Sequence, residues 1–324
     1  MLKAAKIALG SSIAIYAAHI LHLDYEISAG TIALLTIVTT KWETLKLSLF
    51  RMITIVLAWT VFFYVDNECV AYGIFVFLLV IICEILGWGA TLSVNAVNGA
   101  HFLTRLEFGR AFIINESLLV LIGITVAIVL NLFHVNGESR KALVTDMREM
   151  EKQLQMILEA LAAYLSGRNA ERDVWKEIRD LEEKLKQYVI DAREYQNNTF
   201  SSHSGYYIDY FEMRMQQCNM LDNLHSEMTK IRDMPVQAQI IADYILYMKA
   251  YVIEKNAPYE QIRALHKIFE AMKQEPLPAS RIEFESRAIL YHVLMDLEDF
   301  LLFKKKFVEE LSEQKRMIYW EKDS

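Results

Sequence analysis

Residues 36–51 read TIVTTKWETLKLSLFR. An apolar run closes on two threonines. Lys41, Lys46 and Arg51 then arrive within about three helical turns, and the next apolar run begins at once. A cluster of cations between two apolar segments has two physical readings. It holds a membrane hairpin on the side where positive loops are retained, or it meets a negatively charged solute. The fold follows from whether the neighbouring runs are long enough to cross a bilayer.

Stretches without Lys, Arg, Asp or Glu cover residues 7–23, 27–40, 52–65, 69–83, 85–104 and 117–137. Crossing a hydrocarbon core of ~30 Å takes ~20 apolar residues, with ~17–25 tolerated. The last two runs reach that length and the first nearly does. The middle three reach it if Lys41, Arg51 and Glu84 snorkel or face protein. A soluble core helix explains any one short run, but six in succession do not fit a soluble core. Lys3 and Lys6 before the first run mimic a signal peptide; the runs that follow make it an uncleaved span.

Beyond residue 137 the chain is densely charged, with no run of membrane length. Eight of the eleven glycines precede residue 135 and all four prolines follow it. The expected architecture is all-α: a six-span membrane domain over residues 1–135, then a cytoplasmic helical bundle over 136–324. The formal net charge is −7, and no nucleic-acid partner is expected. Lys3 and Lys6 precede the first span, Asp24 and Glu26 follow it, the Lys41 cluster follows the second, and Asp66 and Glu68 the third. Positive loops face the cytoplasm. The N terminus is therefore expected inside, Lys41, Lys46 and Arg51 in a cytoplasmic loop, and the C-terminal half back in the cytoplasm. Arg105 and Arg110 would then lie outside, against the rule. Either the fifth span is re-entrant, or these arginines face protein or solute.

The C-terminal half carries two heptad seams. Leu143, Met147, Met150, Leu154, Ile157, Leu161 and Tyr164 form one; Val174, Ile178, Leu181, Leu185, Tyr188, Ala192 and Tyr195 form the other. Breaks are expected at 166–169, 201–205, Pro235, Pro258 and 276–278, leaving five or six helices. Cys69, Cys83 and Cys218 show no CxxC spacing, so no disulfide framework and no metal site is implied. Cys218 and His225 are read as packing residues. The acidic stretch 296–299 has no ExxH partner for a di-iron site. The run 304–306, KKK, is read as a solvated face, with anionic lipid as the alternative contact. No cofactor and no enzymatic activity are expected.

Polar residues inside a span mark bundle interiors or water-filled paths. Thr91, Asn95, Asn98, His101 and Arg105 fall on one third of a helical wheel in the fifth run. Such a stripe is a pathway or interhelical glue; the charge of Arg105 favours the pathway. In the sixth run Glu116, Gly123, Ala127 and Asn131 share a face, and the small residues allow a neighbouring helix to approach. Glu116 pairs with Arg105 or Arg110, or carries a proton.

The stretch FIINESLLVLIGITVAIVLNLF (112–133) resembles the last span of the bacterial aromatic acid exporter family, within the fusaric-acid-resistance superfamily. Residues 209–221, DYFEMRMQQCNML, and 276–307 resemble that family's C-terminal cytoplasmic domain. Where the family pattern has Met-Pro after the last span, this chain has Phe133-His134. The resemblance implies six spans, a cytoplasmic helical domain and export of carboxylated aromatic compounds. Plant aluminium-activated malate transporters look like distant relatives; the likeness implies a homodimer.

Two functions remain open. One is a plasma-membrane exporter or channel for organic anions, driven by membrane potential or a proton gradient. Its pathway would use Lys41, Lys46 and Arg51 at the inner mouth, Asn95, Asn98, His101 and Arg105 along the fifth span and Glu116 at a rim, with Trp42 and Trp88 stacking a ring. The other is a membrane-anchored scaffold that binds a protein partner through its helical bundle.

Overall fold

The computed structural model describes residues 2–37, 40–89, 92–103, 110–132, 136–168, 173–199 and 203–321. Among them every regular element is helical. The chain divides into two compact units, residues 1–135 with 197–200, and residues 136–196 with 201–324.

In the first unit the helices are α1 (Leu2–Ile20), α2 (Glu26–Ile37), α3 (Lys41–Tyr64), α4 (Glu68–Leu86), α5 (Leu92–Leu103) and α6 (Arg110–Leu132). By length and composition α3, α4 and residues Ala111–Asn131 of α6 are long and apolar enough to cross a membrane; α1 and α2 contribute shorter apolar helices. Three of these boundaries have a local cause. Thr40 caps α3 in a reciprocal capping box: its hydroxyl accepts from the Glu43 N–H at 3.4 Å, and its own N–H donates to Glu43 Oε2 at 3.3 Å. Asn67 caps α4 by accepting from the Val70 N–H at 3.1 Å. Gly87, at φ +69°, ends α4 in the left-handed region. The apolar run 85–104 is therefore split there, and the described part of α5 is 12 residues long.

The capping box corrects one expectation. Lys41, Lys46 and Arg51 do not form a loop; they occupy the first three turns of α3.

Small residues let these helices close on one another. A Cβ on Gly123 of α6 would lie 2.6 Å from Ile32 Cγ2 and 2.8 Å from the Ala29 carbonyl on α2. Ala14, Ala18, Ala29, Ala33 and Ala127 are fully buried between α1, α2 and α6. A separate aromatic core of Phe50, Phe62, Phe75 and Phe102 joins α3, α4 and α5.

Side-chain bonds show how the helices alternate. At one end Lys6 of α1 donates to Asn131 at the close of α6, and Asn131 donates to Thr44 in the first turn of α3. At the other end the Asp24 backbone, between α1 and α2, exchanges bonds of 2.8 and 3.0 Å with the Asn115 side chain near the start of α6. Ser28 near the start of α2 meets His101 near the close of α5.

The second unit contains α7 (Asn136–Leu165), α8 (Val174–Asn198), α9 (Tyr206–Met228), α10 (Val236–Lys249), α11 (Tyr259–Lys273), α12 (Arg281–Glu309), the short α13 (Glu313–Arg316) and a closing π-helical turn, Met317–Glu321. The expected breaks fall between successive helices. Both heptad seams are buried except at their tyrosines: Tyr164 is exposed, and Tyr188 and Tyr195 are partly covered. Cys218 is buried with Sγ 3.7 Å from the Ile178 carbonyl, and the His225 ring meets Trp175 edge-on at 4.5 Å.

A buried charge network runs through this unit. The Tyr206 and Tyr210 hydroxyls donate to Glu254 and Glu151, each at 2.7 Å. Arg148 bridges the same two carboxylates at 2.7 and 3.0 Å. Buried Arg214 donates to Gln217 at 2.7 Å and lies 3.6 Å from Glu151. Lys304 corrects the reading of 304–306 as a solvated run. It is 4% exposed, donates to the Glu254 carbonyl at 2.6 Å, and sits over the rings of Tyr210, Phe307 and Trp320. Burial, and then the Arg214 guanidinium, holds its amine well below the usual lysine range.

Candidate substrate pathway

Arg51 stands on the third turn of α3 and is 2% exposed. It does not lie at a mouth, where the sequence reading placed it. Its Nη1 donates to the Ile32 carbonyl at 2.9 Å and to Thr36 Oγ1 at 2.5 Å, both on α2. No carboxylate lies within 4 Å of it among the described residues, and no further acceptor meets it there. A guanidinium carries five N–H donors in a rigid fork, so three remain available. A buried cation without an opposite charge is expensive in any protein interior and more so within a membrane. Such a group is retained where something negative comes to meet it.

Polar side chains extend away from Arg51 toward the end where Lys6 lies. Thr36, Thr44 and Ser48 are buried along this direction, and Thr54, one turn beyond Arg51 on α3, is buried as well. Asn131 donates to Thr44 Oγ1 at 2.8 Å and to the Thr36 carbonyl at 3.4 Å, while its Oδ1 accepts from Lys6 Nζ at 3.0 Å. Lys41 is half-buried at the first residue of α3. Lys46 is exposed and lies 5.3 Å over the Trp42 ring. Trp88 is partly buried against the aromatic core, edge-on to Phe50 at 5.1 Å. Of the two candidate stacking tryptophans, only Trp42 is exposed.

The stripe on α5 is partly described. Asn95 is fully buried, and neither its amide nitrogen nor its oxygen has a partner among the described residues. An unpaired buried amide costs about 1–3 kcal/mol per group, which a bound solute or water would relieve. The side chains of Asn98 and Arg110, and all of Thr91, Arg105 and Phe133-His134, lie outside the described residues.

Glu116 is 3% exposed and takes His101 as its partner: Oε2 lies 2.7 Å from Nδ1. Asn115 Nδ2 donates to the other carboxylate oxygen at 3.3 Å. Imidazole Nε2 lies 3.2 Å from Ser28 Oγ, and the Tyr25 ring stacks on it at 5.1 Å. Tyr25 holds φ +61°, a conformation costing roughly 1–2 kcal/mol for a residue with a Cβ.

Ser28, Ile32 and Thr36 are spaced by four residues on one face of α2, so a single helix touches both Arg51 and His101. The sequence had separated these residues, and nothing in it marked Ile32, whose contribution is a backbone carbonyl.

Residues 1–134 match the aromatic acid exporter family member 1 profile, and residues 140–305 match that of the aromatic acid exporter C-terminal domain. The chain is similar to the uncharacterized protein YqjA of Bacillus subtilis (strain 168), with 29% identity over 310 residues, covering 93% of this chain and 94% of that one. A crystal structure of a membrane protein from Clostridium difficile 630 is similar to part of it, with 23% identity and a TM-score of 0.46 over 52% of this chain and 99% of that one. The two family matches together account for nearly every residue described above, and the chain belongs to the aromatic acid exporter family.

Proposed function

We propose that this protein exports organic anions, aromatic carboxylates in particular, across a bacterial plasma membrane that its N-terminal unit crosses six times. The observation that carries the reading is Arg51, a buried guanidinium on a helix of spanning length with no carboxylate against it among the described residues. An aromatic carboxylate is ionised at neutral pH, since carboxyl pKa values lie near ~4. Leaving an inside-negative cell releases ~2.3 kcal/mol per charge per 100 mV. What the protein must supply is a replacement for the anion's water, and a guanidinium fork matches a carboxylate with two parallel bonds.

The alternation of the helices supports the topology. Lys6, Lys41 and Lys46 gather at the end where α1 begins; Asp24 and Glu26 lie at the other. In this reading the first end, the N terminus and the C-terminal unit lie in the cytoplasm, where positive charge is retained. In this reading the protein is a carrier or channel rather than an enzyme, needs no cofactor, draws on membrane potential or a proton gradient, and works as a homodimer.

The test is benzoate flux in liposomes containing the purified protein, with an imposed potential. Potential-driven flux in the native protein, a loss of tenfold or more in Arg51→Gln and partial retention in Arg51→Lys are expected. Flux equal to that of protein-free liposomes would end the proposal. A mass in mild detergent matching one chain at all micromolar concentrations would end the homodimer.

A further inference from the structure

We infer that the His101–Glu116 pair is a proton-binding site linked to the anion site at Arg51, so that an organic anion and a proton are bound together. The inference rests on the reading of Arg51 as an anion site and deepens it. With neutral imidazole the pair carries one negative charge, on Glu116. When imidazole takes a proton from solvent the pair becomes a neutral imidazolium–carboxylate. Imidazole is the side chain whose charge ordinarily changes between pH 5 and 8. The 2.7 Å contact and the burial of Glu116 keep the proton in a defined place.

The two sites are close because α2 serves both. Ser28 meets His101; Ile32 and Thr36, four and eight residues on, meet Arg51. At 1.5 Å per residue these lie ~6 and ~12 Å along the helix. A unit charge at about 10 Å, in a medium of effective dielectric constant about 20, changes an anion's affinity by roughly tenfold. The unprotonated pair thus opposes an anion at Arg51, and protonation removes the opposition. Linkage is reciprocal: an anion on Arg51 draws a proton onto the pair.

Other titratable groups surround the pair. Tyr25 stacks on the imidazole, and Asp24 is bonded through its backbone to Asn115, which itself bonds Glu116. His19 and Glu26 form a 2.7 Å pair whose imidazole is largely in solvent. Arg110 heads α6. From α4, Phe75 approaches α5 at Gly99 and brings no charge. His19–Glu26 is the natural control: the same chemistry, screened by water.

The experiment is calorimetry of benzoate binding to the purified full chain between pH 6 and pH 8. Two buffers of different ionisation enthalpy reveal the protons taken up per benzoate. Uptake peaking at roughly half a proton per benzoate is expected, which is what a tenfold coupling allows, with affinity falling roughly tenfold toward pH 8. His101→Gln is expected to bind benzoate without uptake and with a flat pH profile, and His19→Gln to behave as the native protein. Benzoate bound by the native protein with no uptake at any pH would overturn the inference, and that measurement needs no variant to fold. Unchanged uptake in His101→Gln would overturn it equally. Failure of the underlying reading has a different signature: no benzoate binding at all, or undiminished binding in Arg51→Gln.

Discussion

The ring of Tyr319 lies 4.0 Å from that of Tyr206 and within 6° of parallel. The next residue, Trp320, donates its indole N–H to the Tyr206 hydroxyl at 3.1 Å, and that hydroxyl donates to Glu254. The closing turn of the chain is thereby fastened to the buried charge network of the C-terminal unit.

Tyr319→Ala is expected to destabilise that unit by about 3 kcal/mol, in the range for large-to-small changes at buried aromatics. Tyr319→Phe forfeits only the 3.0 Å bond to the His203 carbonyl and is expected to cost about 1 kcal/mol. Guanidinium denaturation followed by near-ultraviolet circular dichroism reads both. Similar losses in the two variants would mean that the hydroxyl, not the stack, holds the turn.

Lys304 gives the unit a pH dependence of known sign. Its amine is held well below the ordinary value of 10.5 in the fold, by burial first. Between the lowered value and 10.5 the unfolded chain binds more protons than the folded one, so stability rises with pH over that window. Lys304→Met is expected to remove this rise. Denaturation midpoints of the two proteins from pH 7 to 10.5 provide the check; parallel curves would refute it.

Gly123→Ala is expected to lower stability by about 1–3 kcal/mol, because the new methyl would press on the Ala29 carbonyl of α2 at 2.8 Å. Backbone cannot step aside as a flexible side chain can. Gly73→Ala, with nothing within 4 Å, is expected to be neutral or slightly stabilising. Thermal unfolding in detergent separates them, and equal midpoints would count against close packing of α2 on α6.

Lys46 and Arg51 are expected to differ in their response to salt. Exposed charges are screened within ~8 Å at 0.15 M ionic strength, so any flux defect of Lys46→Gln should shrink as salt rises. The defect of Arg51→Gln should persist, because Arg51 is out of solvent. Liposome flux at low and high salt decides it. A salt-sensitive Arg51→Gln defect would move Arg51 back into a role at the mouth.

Helices announced themselves where periodicity or Gly and Pro spoke. Leu143 through Leu161 is a seam because every third or fourth residue is apolar, and Pro235 and Pro258 precede helices as expected. The misplaced cations had a local signal as well: Thr40 and Glu43 have the spacing of a capping box, which starts the helix at Lys41. Lys304 also carried one, since Leu297, Leu301, Lys304 and Val308 follow the same buried face. The environment of Arg51 had none. Its partners lie 15 and 19 residues away, and one is a main-chain oxygen. The pairing of His101 with Glu116 was likewise beyond periodicity, which placed each on its own helix without showing that the two helices meet.

The shortness of α2 has a physical consequence for the lipid. Tyr25 at positive φ precedes it, and its described helix, Glu26–Ile37, has 12 residues, ~18 Å. In the proposed six-span reading, hydrocarbon ~30 Å thick meeting such an element would thin or give way to water over it. The transmembrane voltage then falls across a shorter insulating layer. The local field is steeper there, and α2 is the helix that holds Arg51 and His101 within it.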